Sequence, residues 1–418
     1  MDLKKELTGL AIRAQEASRF MVTLSSDEKN SILKEMSAAL LAGRKAIIKA
    51  NRIDIAKAKR LKMQSSMVDR LTLTKERIGD MADGLLELTK LADPVGEVIK
   101  AWRRPNGLWI HKVRTPIGVI AIIYEARPNV TSDCAGLCLK SGNSVILRGG
   151  SDALNSNIAI FKVLNGVLKD HGIPEGVINL VTTPERKAVD ILLKLNKYID
   201  LVIPRGGENL INKVVGLSNI PVIKHYKGIC HVYVDEWADL NMAENVCFNA
   251  KVQRPGVCNA MESMLVHQDV AARFLPGMIK KLRDAHVEIR GCAMTKRVVK
   301  NVLLATENDY RTEYLGLILS VKVVESMQEA IDHINAYGSH HSDSIITENY
   351  DNALTFLRKV DSACVYVNAS TRFTDGYQFG LGAEIGISTD KLHARGPMAL
   401  EELTTYKYMV FGHGQVRR

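Results

Sequence analysis

From residue 117 onward, short apolar runs alternate with stretches of helical periodicity, and no other feature restricts the fold so tightly. The runs fall at 117–124, 144–147, 177–181, 201–203 and 222–223. Strands this short and this uniformly apolar, separated by helix-length segments, belong to a parallel sheet covered on its faces by helices. A second series at 229–234, 263–266, 287–289, 318–324, 344–346 and 364–367 predicts a second α/β domain. Gly142 and Gly172 follow helix-like segments, where a residue that tolerates the left-handed conformation ends a helix with little strain.

The segments outside these series read differently. Ser25 and Glu28 have capping-box spacing, and Ile32, Leu33, Met36, Leu40, Ile47 and Ile48 recur at helical intervals, so the first ninety or so residues are predicted helical. Residues 75–91 continue that pattern through Ile78, Met81, Leu85 and Leu88, and Asp93-Pro94 closes it. Residues 98–113 alternate polar and apolar around Pro105-Asn106-Gly107, which predicts a protruding β-ribbon. The tail at 403–411 is rich in β-formers and is expected to return to that ribbon or to a neighbouring subunit.

At 418 residues the chain exceeds what one core sustains, so two or three domains are expected. Its 46% apolar and 24% charged residues are ordinary for a globular protein. The first twenty residues place Lys4, Lys5, Glu6 and Arg13 in an amphipathic pattern, unlike a signal peptide or a membrane span, so a cytoplasmic location and no membrane partner are expected. Seven cysteines form no regular framework and read as thiols. Cys134 and Cys138 share a helix face, but no second Cys/His pair stands at zinc spacing, so no metal is expected. The net charge of +10 is spread along the chain without a basic stripe or interleaved aromatics, which disfavours nucleic acid as the partner and leaves anionic metabolites.

The chemistry centres on Gln253-Arg254-Pro255-Gly256-Val257-Cys258-Asn259, a polar turn between a helix-like run and the strand at 263–266. A scaffold presents a nucleophile at such a place, and a nearby arginine with backbone amides stabilises a thiolate. A buried structural cysteine is the alternative reading. Two long blocks follow it: V-E-S-M-Q-E-A-I-D-H-I-N-A-Y-G-S-H-H-S-D-S-I at 324–345, and R-F-T-D-G-Y-Q-F-G-L-G-A-E-I-G-I-S-T-D-K-L-H-A-R-G-P-M at 372–398. With Y-E-A-R-P-N at 124–129 and V-I-L-R-G-G at 145–150, they resemble the gamma-glutamyl phosphate reductases, and the resemblance spans nearly the whole chain.

That resemblance implies the aldehyde dehydrogenase superfamily fold: two parallel α/β domains plus a small β oligomerisation element. The domains are expected at 1–97 with 115–224 (NADP-binding), 225–402 (catalytic) and 98–114 with 403–418 (oligomerisation). It also implies NADPH-dependent reduction of L-glutamyl 5-phosphate to L-glutamate 5-semialdehyde and phosphate, the second step of L-proline biosynthesis, by a homo-oligomer. An association with glutamate 5-kinase is left open.

Cys258 is then the nucleophile, and Asn129 resembles the oxyanion-stabilising Asn, a helix N-cap being its alternative role. For the cofactor, no G-x-G-x-x-G fingerprint exists; Gly206-Gly207 opens the helix after the strand at 201–203. Arg148 resembles the basic residue at the adenosine ribose, against a solvent-exposed strand-end arginine. Glu313 resembles the Glu that holds the nicotinamide ribose, against a solvated loop carboxylate. The substrate's two anionic ends call for cations, with Arg127, Arg254 and Arg372 as candidates; Glu125 or Asp375 would meet its amine, and His340-His341 would line the site. The rival on the same fold is a hydrolytic aldehyde dehydrogenase. Its general-base Glu precedes the cysteine by some thirty residues, where this chain has K-H-Y-K-G at 224–228 and no carboxylate.

Overall fold

The structure, a computed structural model, describes residues 2–224 and 227–417. It divides into two compact units: Met1–Lys224, Gly380–Gly386 and Met398–Arg418 in the first, His225–Phe379 and Ile387–Pro397 in the second.

In the first unit the helix Ser26–Arg60 opens with the expected capping box. The Glu28 amide donates to Ser25 Oγ, and the Ser25 amide donates to the Glu28 carboxylate at 2.7 Å. Ile32, Leu33, Met36, Leu40 and Ile47 are buried along one face, and the helix packs on Lys75–Lys90 and Leu154–Asp170. The parallel sheet runs in the order Ile178–Leu180, Ser144–Gly149, Val119–Tyr124, Leu201–Arg205. The run at 222–223 adds a single parallel bridge, Val222 to Val202, rather than a strand. Register aligns Tyr124 with Gly149 on one side and Arg205 on the other, so the loops that carry Glu125, Gly150 and Gly206 leave the sheet together at its carboxyl edge, where ligands of open α/β sheets bind.

The ribbon forms as expected. Val98–Arg103 pairs antiparallel with Trp109–Pro116, and Pro105, Asn106 and Gly107 make the loop, closed by Arg104 N–H to Leu108 O at 2.8 Å. Gly107 sits at φ +91, as a loop of this length demands. The tail strand Thr404–Phe411 pairs along the other side of Trp109–Pro116, giving a three-stranded sheet.

The second unit holds a seven-stranded, wholly parallel sheet in the order Leu303–Leu304, Glu288–Gly291, Ile318–Val324, Met261–His267, Cys230–Val234, Ser342–Ile346, Cys364–Val367. The two-residue strand at its edge carried no periodic signal. Cys230–Val234 and Met261–His267 are buried along their whole lengths at the centre. On one face their apolar side chains meet Leu240–Val252 and Gln268–Asp284; on the other, Tyr233, Leu265 and Ile345 pack with Ile331, Ile334 and Phe356. The stretch 225–402, continuous in the sequence reading, is divided in the fold. Gly380–Gly386 and Met398–Leu403 join the first unit, where Gly382 lies against Leu91 and Leu403 O accepts from Asn143 Nδ2 at 2.8 Å. Among the described residues, no helix is long and apolar enough to cross a membrane.

Candidate active site

Cys258 lies in the turn between the helix Leu240–Val252 and the central strand Met261–His267, partly accessible where the other central residues are covered. A second layer of polar groups fixes this turn. A side chain at Gly228 would collide with the backbone of Cys258, so that approach requires glycine. Cys230 Sγ donates to Cys258 O at 3.2 Å and lies 3.6 Å from His341 Nδ1. The next residue, Asn259, is 5% exposed; its Nδ2 donates to Thr374 O at 2.8 Å, and its backbone O accepts from Thr371 Oγ1 at 2.8 Å. Ser342 Oγ, Thr374 Oγ1 and the Tyr366 hydroxyl continue the chain of hydrogen bonds at 2.6 Å each. Burial holds the Cys230 thiol protonated and drops His341 to about 4, so both are neutral near pH 7, with the buried Asp343 acting to raise both.

The charges stand around the thiol instead. Arg372 donates to Asn259 Oδ1 and, through Nε, to Gln253 Oε1 at 2.9 Å. Burial pushes the Arg372 pKa down, the Arg254 cation pushes it further, and Asp375 and Cys258 oppose that shift, so these four groups share one electrostatic neighbourhood. Arg254 itself is exposed. Asp375 accepts the amides of Tyr377 and Gln378, capping its own turn. His340 Nδ1 meets the Asp361 carbonyl at 2.6 Å on a partly exposed residue, whereas His341 is fully buried and presents no ring to solvent. Glu313 accepts the Gly228 amide at 2.9 Å, which ties its loop to the segment that packs on Cys258. Behind it the buried pair Lys251–Glu262, at 2.5 Å, reaches the Leu315 amide. Burial raises Glu262 to about 7.

In the first unit, Ile123, Glu125, Arg148, Gly150, Asp152, Pro184, Arg186, Leu210 and Lys213 line a cavity of about 450 Å³ at the carboxyl edge of the sheet. Arg148 is 8% exposed, and its Nη2 donates to the carbonyls of Pro184 and Glu185 at 3.3 Å each. The solvent-exposed strand-end alternative for Arg148 is therefore wrong. Glu125 Oε2 accepts the Gly207 amide at 2.9 Å, and a side chain at Gly206 would meet that carboxylate. Glu125 thus stands at the start of the helix Glu208–Leu217, in this cavity. Arg127 is exposed on the loop that follows. Asn129 precedes Val130–Lys140 but has helical dihedrals and makes no side-chain cap; its Nδ2 donates to Asp133 Oδ2 at 2.9 Å. Burial pushes the Asp133 carboxyl up to about 6. The cap alternative for Asn129 fails on this geometry.

The aldehyde dehydrogenase family matches the chain over residues 4–298 and 287–408. A gamma-glutamyl phosphate reductase of Thermodesulfovibrio yellowstonii is 57% identical over 418 residues, all of both chains. One from Clostridium acetobutylicum is 54% identical over the same full lengths. The chain belongs to the gamma-glutamyl phosphate reductases of the aldehyde dehydrogenase family. The crystal structure of the gamma-glutamyl phosphate reductase of Thermotoga maritima superposes with a TM-score of 0.97 at 50% identity, covering 99% of this chain and 100% of that one. An acetylating aldehyde dehydrogenase of Geobacillus thermoglucosidasius shares the fold, with a TM-score of 0.68 at 17% identity.

Within this gamma-glutamyl phosphate reductase fold, sequence reasoning named His341 as a lining residue but missed the rest of the layer under the cysteine: Gly228, Cys230, Asn259, Ser342 and Thr374. Only Asn259, adjacent to Cys258, carried a local signal. The segment at 224–228 that separated the reductase from its hydrolytic rival includes His225 and Tyr226, which lie outside the described residues.

Proposed function

We propose that the protein reduces L-glutamyl 5-phosphate with NADPH to L-glutamate 5-semialdehyde and phosphate, the second step of L-proline biosynthesis, through a thioester on Cys258. The Cys258 turn carries this reading: a partly accessible thiol on a hydrogen-bonded floor, with Arg254 and Arg372 in its electrostatic neighbourhood. As thiolate, Cys258 attacks the acyl carbon and the carbon–oxygen bond to phosphate breaks. Arg254 and Arg372, joined by Arg127, neutralise the departing phosphate. Asn129 donates to the oxyanion of the tetrahedral species; its amide has a second N–H beyond the one on Asp133, and one such donor contributes roughly 3 to 4 kcal/mol. When bound, a nicotinamide cofactor supplies the hydride that reduces the thioester. Collapse of the hemithioacetal on Cys258 then releases the aldehyde.

The cavity lined by Arg148, Arg186 and Lys213 suits the phosphorylated end of such a cofactor, and Gly206 and Gly207, against the Glu125 carboxylate beside it, would let that cofactor approach the chain closely. Glu313 would hold the nicotinamide ribose. Residues 1–97 with 115–224 thus serve the cofactor, and the second unit, His225–Phe379 with Ile387–Pro397, carries the chemistry. The ribbon at 98–114 with 403–418, which exposes Trp109, Tyr406, Tyr408, Val410 and Phe411, joins subunits of a homo-oligomer.

The reverse reaction tests this. With glutamate semialdehyde and NADP⁺, the thioester must find an acceptor, and phosphate held by the same arginines is that acceptor. NADPH formation should require phosphate, and arsenate should replace it. Sustained turnover in phosphate-free buffer with free glutamate accumulating would mean the hydrolytic reaction instead.

A further inference from the structure

Lys251 and Glu262 form an ion pair at 2.5 Å with side chains 0% and 1% exposed, one on the helix before Cys258 and the other on the strand after it. Taking two charges out of water costs about as much as their attraction returns, so such a pair does little for stability by itself. The second carboxylate oxygen has a task. Glu262 Oε1 accepts the Leu315 amide at 3.1 Å. Leu315 is nearly half exposed and sits at φ +52, a left-handed conformation that a leucine keeps only where its surroundings impose it. The residue before it is fixed as well. The Tyr314 ring centroid lies 5.9 Å from Lys251 Nζ and 5.2 Å from the Arg290 guanidinium, and the Tyr314 hydroxyl donates to Asp309 Oδ1 at 3.0 Å. Arg290 closes that side by pairing with Asp309 at 2.6 Å. One residue earlier, Glu313 accepts the Gly228 amide at 2.9 Å. Burial raises the Glu262 carboxyl and the nearby Glu313 carboxylate adds to that rise, so two acids in one neighbourhood are aimed at different amides. The direction of Glu313 is thus set two residues later, by the turn that Glu262 holds.

We propose that Glu262, kept in place by Lys251, is a positioning residue for the nicotinamide ribose: it locks the turn at Leu315 that aims Glu313. The assignment rests on the reading of Glu313 as the residue that holds the ribose hydroxyls. A carboxylate on an unlocked loop would have to be ordered by the cofactor, and affinity falls by the fraction of time the loop is competent. What the loop needs from position 262 is an acceptor for the Leu315 amide, not a charge.

Binding is measured on the full-length protein, by fluorescence for NADPH and by calorimetry for adenosine 2′,5′-bisphosphate, which lacks the nicotinamide ribose. Glu262→Ala alone would strand the Lys251 cation in the core, so both partners are changed together. Glu313→Gln should weaken NADPH roughly ten- to a hundredfold, the range for hydrogen bonds to a charged group. Lys251→Met/Glu262→Met removes the pair and the acceptor, and should weaken NADPH by up to the same factor. Lys251→Met/Glu262→Gln removes the pair but keeps a carbonyl acceptor of the same reach, and should recover most of the affinity. Both should bind the bisphosphate as wild type does and melt near the wild-type temperature. The swap Lys251→Glu/Glu262→Lys keeps the pair but faces Leu315 with a donor; it should lose NADPH affinity too, and it stands in if the Met pair does not fold. Because Glu262 acts through Glu313, adding Glu313→Gln to the Met pair should weaken binding no further. Wild-type NADPH affinity in the variants without an acceptor, with Glu313→Gln still weak, overturns the positioning role and leaves the ribose reading standing. Equal losses with Met and Gln at position 262 overturn it as well, since the charge rather than the acceptor would then matter. Wild-type affinity in Glu313→Gln overturns the ribose reading itself.

Discussion

The thiol of Cys258 and the amide of Asn129 are the two groups on which turnover should depend most steeply. Cys258→Ser keeps the volume of the turn and the Cys230 hydrogen bond to its carbonyl, but a hydroxyl lacks thiolate nucleophilicity. Turnover should vanish while cofactor affinity and melting temperature stay at wild-type values; a measurable kcat with NADPH and acyl phosphate would remove Cys258 from the mechanism. Asn129→Ala should lower kcat by roughly two orders of magnitude with little change in KM, the loss of one oxyanion donor. A fall in stability without a fall in kcat would instead confine Asn129 to its bond with Asp133. The turn of Cys258 was legible because its signal is local: a polar turn, an arginine four residues back, a strand ahead; the choice of this cysteine over a buried structural one came from the resemblance of the flanking blocks. Most of the floor beneath it was not legible, because Cys230 meets Cys258 28 residues on and His341 111 residues on, and Asn259 meets Thr374 115 residues on, separations that no local pattern reports. Arg148 shows the same limit. Its identity suggested a ligand, but its donors meet a loop 36 residues away that no periodicity places over it.

Helix docking in the second unit rests partly on a histidine that cannot take up a proton. His333, on Met327–Tyr337, is 4% exposed, and its ring centroid lies 4.9 Å from that of Tyr310 and 4.5 Å from that of Tyr337. Neither ring nitrogen has a hydrogen-bond partner among the described residues. Burial, then the neighbouring His231, lowers it from 6.5 to about 2. The unfolded chain therefore binds this proton as pH falls through about 6.5 while the folded one does not, and the contribution to stability is lost downward from there at up to ~1.4 kcal/mol per pH unit. Glu262 and Asp133, raised to about 7 and about 6, act in the opposite direction, so the variant must be compared with wild type at each pH. His333→Phe should gain about 2 kcal/mol more, relative to wild type, at pH 5 than at pH 8 in denaturant titrations, whatever its packing cost. An equal difference at both pH values would show that His333 is protonated in the fold. At this scale the sequence was most informative, since apolar periodicity located every strand of four residues or more. It failed at Leu303–Leu304 and at 222–223, where pairing is too short for a pattern.

Across the whole molecule, the ribbon is the surface least explained by a single chain. Thr404–Phe411 is exposed at every residue after the first, and the three-stranded sheet has an open edge on each side. A strand apolar and exposed on both faces invites a partner. Replacing Tyr408 and Val410 together by Glu should lower the mass measured by light scattering from an oligomer toward a single chain, with each unit still folded by circular dichroism. An unchanged mass would place the subunit contact elsewhere.

The same ribbon has a consequence for how the protein is made. Arg114 and Thr404, hydrogen-bonded in the finished sheet, are 290 residues apart in the chain. A ribosome adding roughly 5 to 20 residues per second takes about 15 to 60 s to cover that interval. Throughout it, Trp109–Pro116 has one edge unpaired, although the residues of its unit up to 224 are made well before the tail strand. On crowded polysomes that edge can meet the same strand of a neighbouring nascent chain. The topology thus leaves this edge open to such pairing until the tail strand is made.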